Sequence, residues 1–217
     1  MKGRPKRLTP IAFLRRAGPG KSTRLYLDKE VIYSQESPPD AIFYIHSGIV
    51  KLTVISKRRR KKAVLAILGE SDFFGEGCLG KTSQRLSTAA SIGPSIITRV
   101  EKEIFRRKIE QDAAFGAMFM RFLLARNARL KADLEDRFFN SSERRLARIL
   151  LMIGSFGRKS KGGASVLPIS QGALAEMVGT TRERVSSFMN KFREKGYIKY
   201  NGTLEIDPDR LTAFLQG

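Results

Sequence analysis

The 217-residue sequence contains no tryptophan, one cysteine and one histidine. A single thiol, Cys78, excludes an intrachain disulfide. It also cannot supply the several thiolates of an iron–sulfur cluster or a structural zinc site. One histidine, His46, without a carboxylate–histidine constellation, leaves no candidate catalytic site, so the chain is not expected to be an enzyme. No apolar run approaches the roughly 18 residues of a membrane-spanning helix. The opening stretch MKGRPKRLTPIAFLRRAGPGK lacks the uninterrupted apolar core of a signal peptide. A cytoplasmic location with no membrane partner is the expectation. Acidic residues are scarce, 21 against 41 Lys and Arg, for a formal charge of +20.

What is present is apolar enough to fold and basic enough to seek a polyanion. Hydrophobic residues make up 41% of the chain, sufficient for true cores. The excess of positive charge favours nucleic acid as partner. That excess is uneven: residues 1–62 carry 16 basic and 4 acidic residues, whereas residues 140–217 carry 13 and 7. Much of it lies in a basic N-terminal arm, residues 1–22, and in the run Lys57-Arg58-Arg59-Arg60-Lys61-Lys62. Such runs are either solvated surface or nonspecific holders of polyanions.

The patterning divides the chain. Residues 23–108 read as short strands, the signature of an antiparallel barrel or sandwich. In "AIFYIHSGIVKLTVI", Ser47-Gly48 reads as a turn. "RLSTAASIGPSIITRV" reads as two strands broken at Gly93-Pro94. The period then changes. Phe115, Phe119, Phe122, Leu123, Leu130, Leu134 and Phe138 recur at helical spacing. A short helix ending near Gln111 and a long helix within 109–139 are predicted. An apolar stripe of that length either covers its own barrel or seeks a second copy of itself, and the dimer is preferred, with Arg126 as an interruption. Asn140 is a candidate cap for the next helix, with Glu143 as its capping-box partner. That helix is placed up to Gly154, and the last domain at 140–217.

Within that domain, "LAEMVGTTRERVSSF" fits a helix-turn-helix. Leu174 and Val178 are the buried positions, and Ala175 is the small residue at the crossing. Gly179 is the turn, and Val185 and Phe188 face back. Ser170 caps the first helix, and Thr180 or Thr181 the second. The exposed N-terminal face of the second helix carries Arg182, Glu183, Ser186 and Ser187, with Arg184 and Asn190 flanking, and Lys191 lies further along, where backbone or solvent contact is expected. Arginine suits guanine O6/N7, and Glu accepts from cytosine N4. The helix N-terminus with Thr180 and Thr181 suits a phosphate. "YIKYNGTLEI" adds a hairpin with an Asn201-Gly202 turn, completing a winged helix. The competing reading is an interaction module that docks a protein or a membrane through its basic arm, without specific DNA binding.

With "GESDFFGEGCL", "RLSTAA" and "VGTTRERVSSF" in this order, the sequence resembles the cyclic-AMP receptor protein/FNR (Crp/Fnr) family of bacterial transcription factors. The resemblance implies an α+β chain: an N-terminal cyclic-nucleotide-binding-type β-barrel (double-stranded β-helix or jelly roll), a long dimerisation helix and a C-terminal winged helix-turn-helix. It implies a homodimer on a palindromic operator of double-stranded DNA, recruiting or blocking RNA polymerase. It also implies a nucleotide cradle. Gly75 and Glu76 match the family's ribose-binding pair and Arg85 its phosphate arginine. The following serine is replaced by Leu86, with Ser87 adjacent, and the adenine-contacting Thr-Ser pair by Leu130-Lys131. Such a cradle is expected to bind cyclic AMP poorly. Glu76 and Arg85 then have a structural ion-pair role as their alternative. His46 does not match a haem ligand, and no haem is expected. Cys78 reads as a buried thiol rather than a redox handle. In the reading helix Ser187 stands where the family commonly has a second arginine. That implies an operator departing from the family's TGTGA half-site there. Any effector, and whether the chain activates or represses, stay open.

Overall fold

The structure is a computed structural model and describes residues 12–15, 18–56, 62–139, 141–156, 158–159, 165–167, 169–200 and 204–216. Asn140, the Asn201-Gly202 turn, the 57–61 part of the basic run and residues 1–11 of the expected arm lie outside the described residues. The chain forms two compact units. One comprises Met1–Val50 with Leu68–Arg129, and the other Lys51–Ile67 with Leu130–Gly217. Among the described residues no helix is long and apolar enough to cross a membrane.

The first half of the chain runs α1 (Ala12–Arg15), β1 (Lys21–Tyr26), β2 (Val31–Tyr33), β3 (Ala41–Ile55), β4 (Lys62–Leu68), β5 (Phe73–Phe74), a 3-10 turn at Glu76–Leu79, β6 (Thr88–Glu101), α2 (Lys102–Gln111) and α3 (Ala113–Phe139). The six strands form a sheet in the order β1-β6-β3-β4, with β2 added to β6 and β5 to β3. The strand pairs β1–β6, β2–β6 and β3–β5 are antiparallel.

Two expected breaks are absent. β3 runs through Ser47-Gly48 and β6 through Gly93-Pro94. At the first site the reason is contact with the neighbouring strand. Gly48 holds φ 97°, and a Cβ there would lie 2.6 Å from Ser95 Cα. The Ser95 hydroxyl accepts from Ile49 N at 3.1 Å. The glycine therefore serves a close approach of two backbones inside a sheet rather than a reversal. The expected arm is also shorter than 1–22. Leu14 is buried and Lys21 opens β1, paired with Val100.

Helices α2 and α3 are separated by Asp112, whose carboxylate explains both ends. Oδ1 accepts from Phe115 N at 3.0 Å as the cap of α3, and Oδ2 holds Lys108 of α2 at 2.7 Å. Phe105, Phe115 and Phe119 are buried with Phe73, Tyr44, Leu14 and Cys78 in one aromatic core. Phe73 meets Phe105, Phe119 and Phe122 edge-on at centroid distances of 5.9, 5.4 and 5.1 Å. Each such phenylalanine contributes about 1.5–3 kcal/mol by burial. The predicted stripe therefore splits. Phe115 and Phe119 cover the barrel, with Phe122 and Leu123 partly buried against the same core. Among the described side chains, the large apolar ones left exposed on α3 are Met120, Leu124, Leu130 and Leu134, and Phe138 of the stripe lies outside them.

The remainder runs α4 (Ser142–Phe156), β7 (Arg158–Lys159), β8 (Ser165–Leu167), α5 (Gln171–Val178), α6 (Arg182–Glu194), β9 (Ile198–Tyr200), β10 (Leu204–Ile206) and α7 (Pro208–Gln216). The four strands form an antiparallel sheet ordered β7-β8-β10-β9. Ser141 Oγ accepts from Arg144 N at 3.3 Å at the start of α4. Glu143 pairs with Lys191 at 2.8 Å. α4 continues through Gly154 to Phe156. Helix α7 has no counterpart in the sequence reading, although its signal is present. Asp207 Oδ1 accepts from Arg210 N at 3.1 Å, and Pro208 takes the first helical position.

Candidate functional site

The reading module is built by local capping. Ser170 Oγ accepts from Ala173 N at 3.2 Å and starts α5. Gly179 ends it at φ 73°, with its N–H donating to Ala175 O at 3.0 Å and Thr180 N donating to the same carbonyl at 3.1 Å. No atom crowds Gly179, so the left-handed backbone alone requires glycine there. Thr181 then starts α6, its hydroxyl oxygen accepting from Arg184 N at 3.3 Å.

The interior face of this motif is buried as the spacing predicts: Leu174, Ala175, Val178 and Val185. Phe188 is only half-buried. Met177, Met189 and Phe192, absent from the predicted set, complete the face. Phe192 meets Tyr197 and Phe214 at 5.8 and 5.6 Å, which ties α6 to the hairpin and to α7. Arg145 of α4 donates from Nε to Val178 O at 3.3 Å and fixes the end of α5.

On the opposite face Thr181, Arg182, Glu183, Arg184, Ser187, Asn190 and Lys191 are exposed, and Thr180 and Ser186 are half-buried. Glu183 is held below the ordinary carboxylate range. Its own backbone N–H is the largest cause, followed by the Thr181 hydroxyl and the charge of Arg182. It is therefore an ionised acceptor lying at the positive end of α6, where an anion is favoured. Lys191 Nζ lies 2.8 Å from Glu143 Oε1, a partner the sequence reading did not assign.

The cradle residues come together in the barrel around the tight turn before the 3-10 segment. Gly75 has φ 77°, and a Cβ there would lie 2.6 Å from Arg85 Nη1. Arg85 is buried. Its Nη1 donates to Gly75 O at 3.0 Å, and its Nη2 to Ala41 O at 2.7 Å and Asp40 Oδ1 at 3.2 Å. The guanidinium lies over the Tyr33 ring at 4.4 Å. Partial burial pushes the Asp40 carboxyl up, but the Arg99 hydrogen bond and charge outweigh it and hold the group below its ordinary value. Tyr33 is pushed up by burial, while its hydrogen bond with the Ser87 side chain opposes the shift. Glu76 does not pair with Arg85. Its Oε1 lies 3.5 Å from Arg126 Nε of α3. Leu86 is exposed. Cys78 is buried as expected, and burial pushes its thiol up. His46 lies within β3, half-buried, with Nε2 2.7 Å from Thr98 Oγ1.

Tyr33, Asp40 and Arg126 are cradle residues that the sequence reading missed. Asp40 and Arg126 sit 45 and 41 residues from Arg85 in the chain, so no local spacing pointed to them.

Comparison with known proteins agrees with both halves. Residues 23–112 match the cyclic nucleotide-binding domain, and residues 144–214 match the Crp-like helix-turn-helix domain. A CRP-like cAMP-activated global transcriptional regulator of Mycobacterium tuberculosis is 28% identical over 184 residues, covering 83% of this chain and 82% of that protein. The cyclic AMP receptor protein of Thermus thermophilus is 29% identical over 188 residues, covering 84% and 82%. Among solved structures, a CRP-family transcriptional regulator, also from Thermus thermophilus, superposes with a TM-score of 0.72 at 19% identity, covering 89% of this chain and 97% of that one. With a cyclic-nucleotide-type barrel, a long helix and a winged helix-turn-helix in this order, the chain belongs to the Crp/Fnr family of DNA-binding bacterial transcriptional regulators.

Proposed function

We propose that this chain is a cytoplasmic, non-enzymatic regulator that binds a palindromic operator as a homodimer and acts by recruiting or blocking RNA polymerase. The observation that carries the reading is the N-terminal turn of α6. Thr181 caps it, and Arg182 and Glu183 stand exposed where a helix laid in the major groove meets base edges. Arg182 reads guanine, Glu183 accepts from cytosine, and the N-terminus of α6 with Thr180 and Thr181 suits a phosphate. Ser186, Ser187 and Asn190 line the neighbouring base steps. Lys191 lies further along, where backbone contact is the expected role. The uncovered Met120, Leu124, Leu130 and Leu134 on α3 support the dimer, because a second copy of the same helix buries them.

The test is selection of binding sites from a random duplex library by the purified full-length protein. The reading predicts recovery of an inverted repeat with half-site centres about one helical turn, roughly 34–36 Å, apart. Recovery of no enriched sequence would sink it. Enrichment of a single, unrepeated half-site would remove the dimer.

A further inference from the structure

In a cyclic-nucleotide-binding barrel, the cradle needs donors for a phosphate, an acceptor for the ribose and room between the barrel and the long helix. The side chains at those positions have protein partners here. Both Nη atoms of Arg85 donate to protein oxygens, two backbone carbonyls and the Asp40 carboxylate. Three of its five N–H donors are committed in this way, and an incoming phosphate must also face the Asp40 charge. Arg85 Nε is the one guanidinium nitrogen without a hydrogen-bond partner, and it is fully shielded. The Ser87 side chain, the candidate substitute for the missing serine at Leu86, is hydrogen-bonded with Tyr33. The Glu76 carboxylate is given to Arg126. These residues do not fit a cyclic nucleotide.

The same side chains fasten the long helix. Arg126 Nη1 donates to Phe73 O at 3.0 Å while its Nε faces Glu76. Arg129, three residues further along α3, donates from Nη2 to Asp72 Oδ1 at 2.8 Å. The other Asp72 oxygen accepts from Gly69 N at 3.0 Å, which braces the turn from behind. The Arg126 and Asp72 side chains are each about nine-tenths buried, whereas Arg129 is more than half exposed, so Arg126–Glu76 is the less screened of the two pairs. Two arginines thus grip both ends of the 72–76 turn.

We infer that this cradle is filled by the protein's own side chains. The Arg126–Glu76 and Arg129–Asp72 pairs hold α3 on the barrel, so operator binding requires no cyclic nucleotide. This deepens the reading proposed above, and its DNA-binding part rests on that reading.

Calorimetric titration of the full-length protein with 3′,5′-cyclic AMP, and separately with 3′,5′-cyclic GMP, tests the cradle without involving DNA. No saturable binding is expected up to about 1 mM of either. Saturable binding of either nucleotide overturns the inference. Hydrogen exchange tests the bolt: Glu76→Gln is expected to speed amide exchange in residues 113–129 by at least about tenfold. The charge swap Glu76→Lys with Arg126→Glu is expected to restore most of the protection. Unchanged exchange in Glu76→Gln, or no recovery in a folded swap variant, overturns the bolt. The random-duplex selection, run with and without cyclic AMP and cyclic GMP, separates the two claims. An operator recovered equally in all conditions supports the inference. One recovered only with a nucleotide overturns it and leaves the DNA-binding reading standing. No operator under any condition overturns the operator-binding part of the inference together with that reading, whereas the calorimetric result on the cradle stands by itself.

Discussion

Arg85 stands against Gly75. Its Nη1 donates to the glycine carbonyl at 3.0 Å and leaves 2.6 Å for any Cβ on that residue. The guanidinium has no freedom to retreat, because its other terminal nitrogen is fixed on Ala41 O and Asp40. Gly75→Ala meets a left-handed backbone and a steric conflict together. A loss of about 1–3 kcal/mol is expected from urea denaturation of the barrel. A loss below about 0.5 kcal/mol, the range of ordinary surface changes, would show that the arginine is not locked.

Asp40 makes part of that lock pH-dependent. Its folded-state pKa lies below the ordinary 3.8, because Arg99, at 2.6 Å, and Arg85 favour the carboxylate. The sign follows: the stabilisation is complete above 3.8 and is lost as pH falls through the lower folded value. The cost of Asp40→Asn is therefore expected to be full at neutral pH and to shrink on acidification below 3.8. Urea midpoints of the variant and the parent at several pH values measure it. A gap that stays constant down to the acid limit assigns Asp40 no ionic role.

Thr181 begins the reading helix, and its hydroxyl is the acceptor for Arg184 N. Thr181→Ala is expected to cost about 1 kcal/mol of stability, and Thr181→Ser to cost little. Thermal melting compares them. Equal melting temperatures for parent and alanine variant would remove the cap from the account.

On α3 the uncovered Met120 and Leu124 are spaced four residues apart and share one face. Met120→Glu with Leu124→Glu is expected to yield a monomer by sedimentation, with operator affinity reduced at least about tenfold because each half-site is then held alone. A dimer that survives the double change lies on another surface. Leu123 is a poorer target. It packs on the core of its own barrel, and its loss would confuse folding with assembly.

The elements most legible in the sequence were those specified locally. Ser170, Gly179 and Thr181 each sit where a cap or turn needs that side chain, and the structure uses all three. The breaks predicted at Ser47-Gly48 and Gly93-Pro94 failed for the converse reason. Glycine marks a special backbone, and only the facing strand decides between a reversal and a close approach. Helical periodicity on α3 located a stripe but could not divide it between barrel and solvent. Phe115 and Phe119 point to one and Met120 and Leu124 to the other within the same three turns. The Asp207-Pro208 start of α7 was legible and passed over. Arg126 was not legible. It reads as a charge interrupting an apolar seam, and its partners Glu76 and the Phe73 carbonyl come from a turn about fifty residues earlier.

Base reading by Glu183 is the central claim, and a two-duplex titration tests it most directly. The selected operator and a scrambled duplex of equal length and composition are each titrated with the parent and with Glu183→Ala at one salt concentration. The account predicts that the variant loses about 1–3 kcal/mol on the operator and keeps its affinity for the scrambled duplex. An equal loss on both duplexes, or no loss on either, would contradict it.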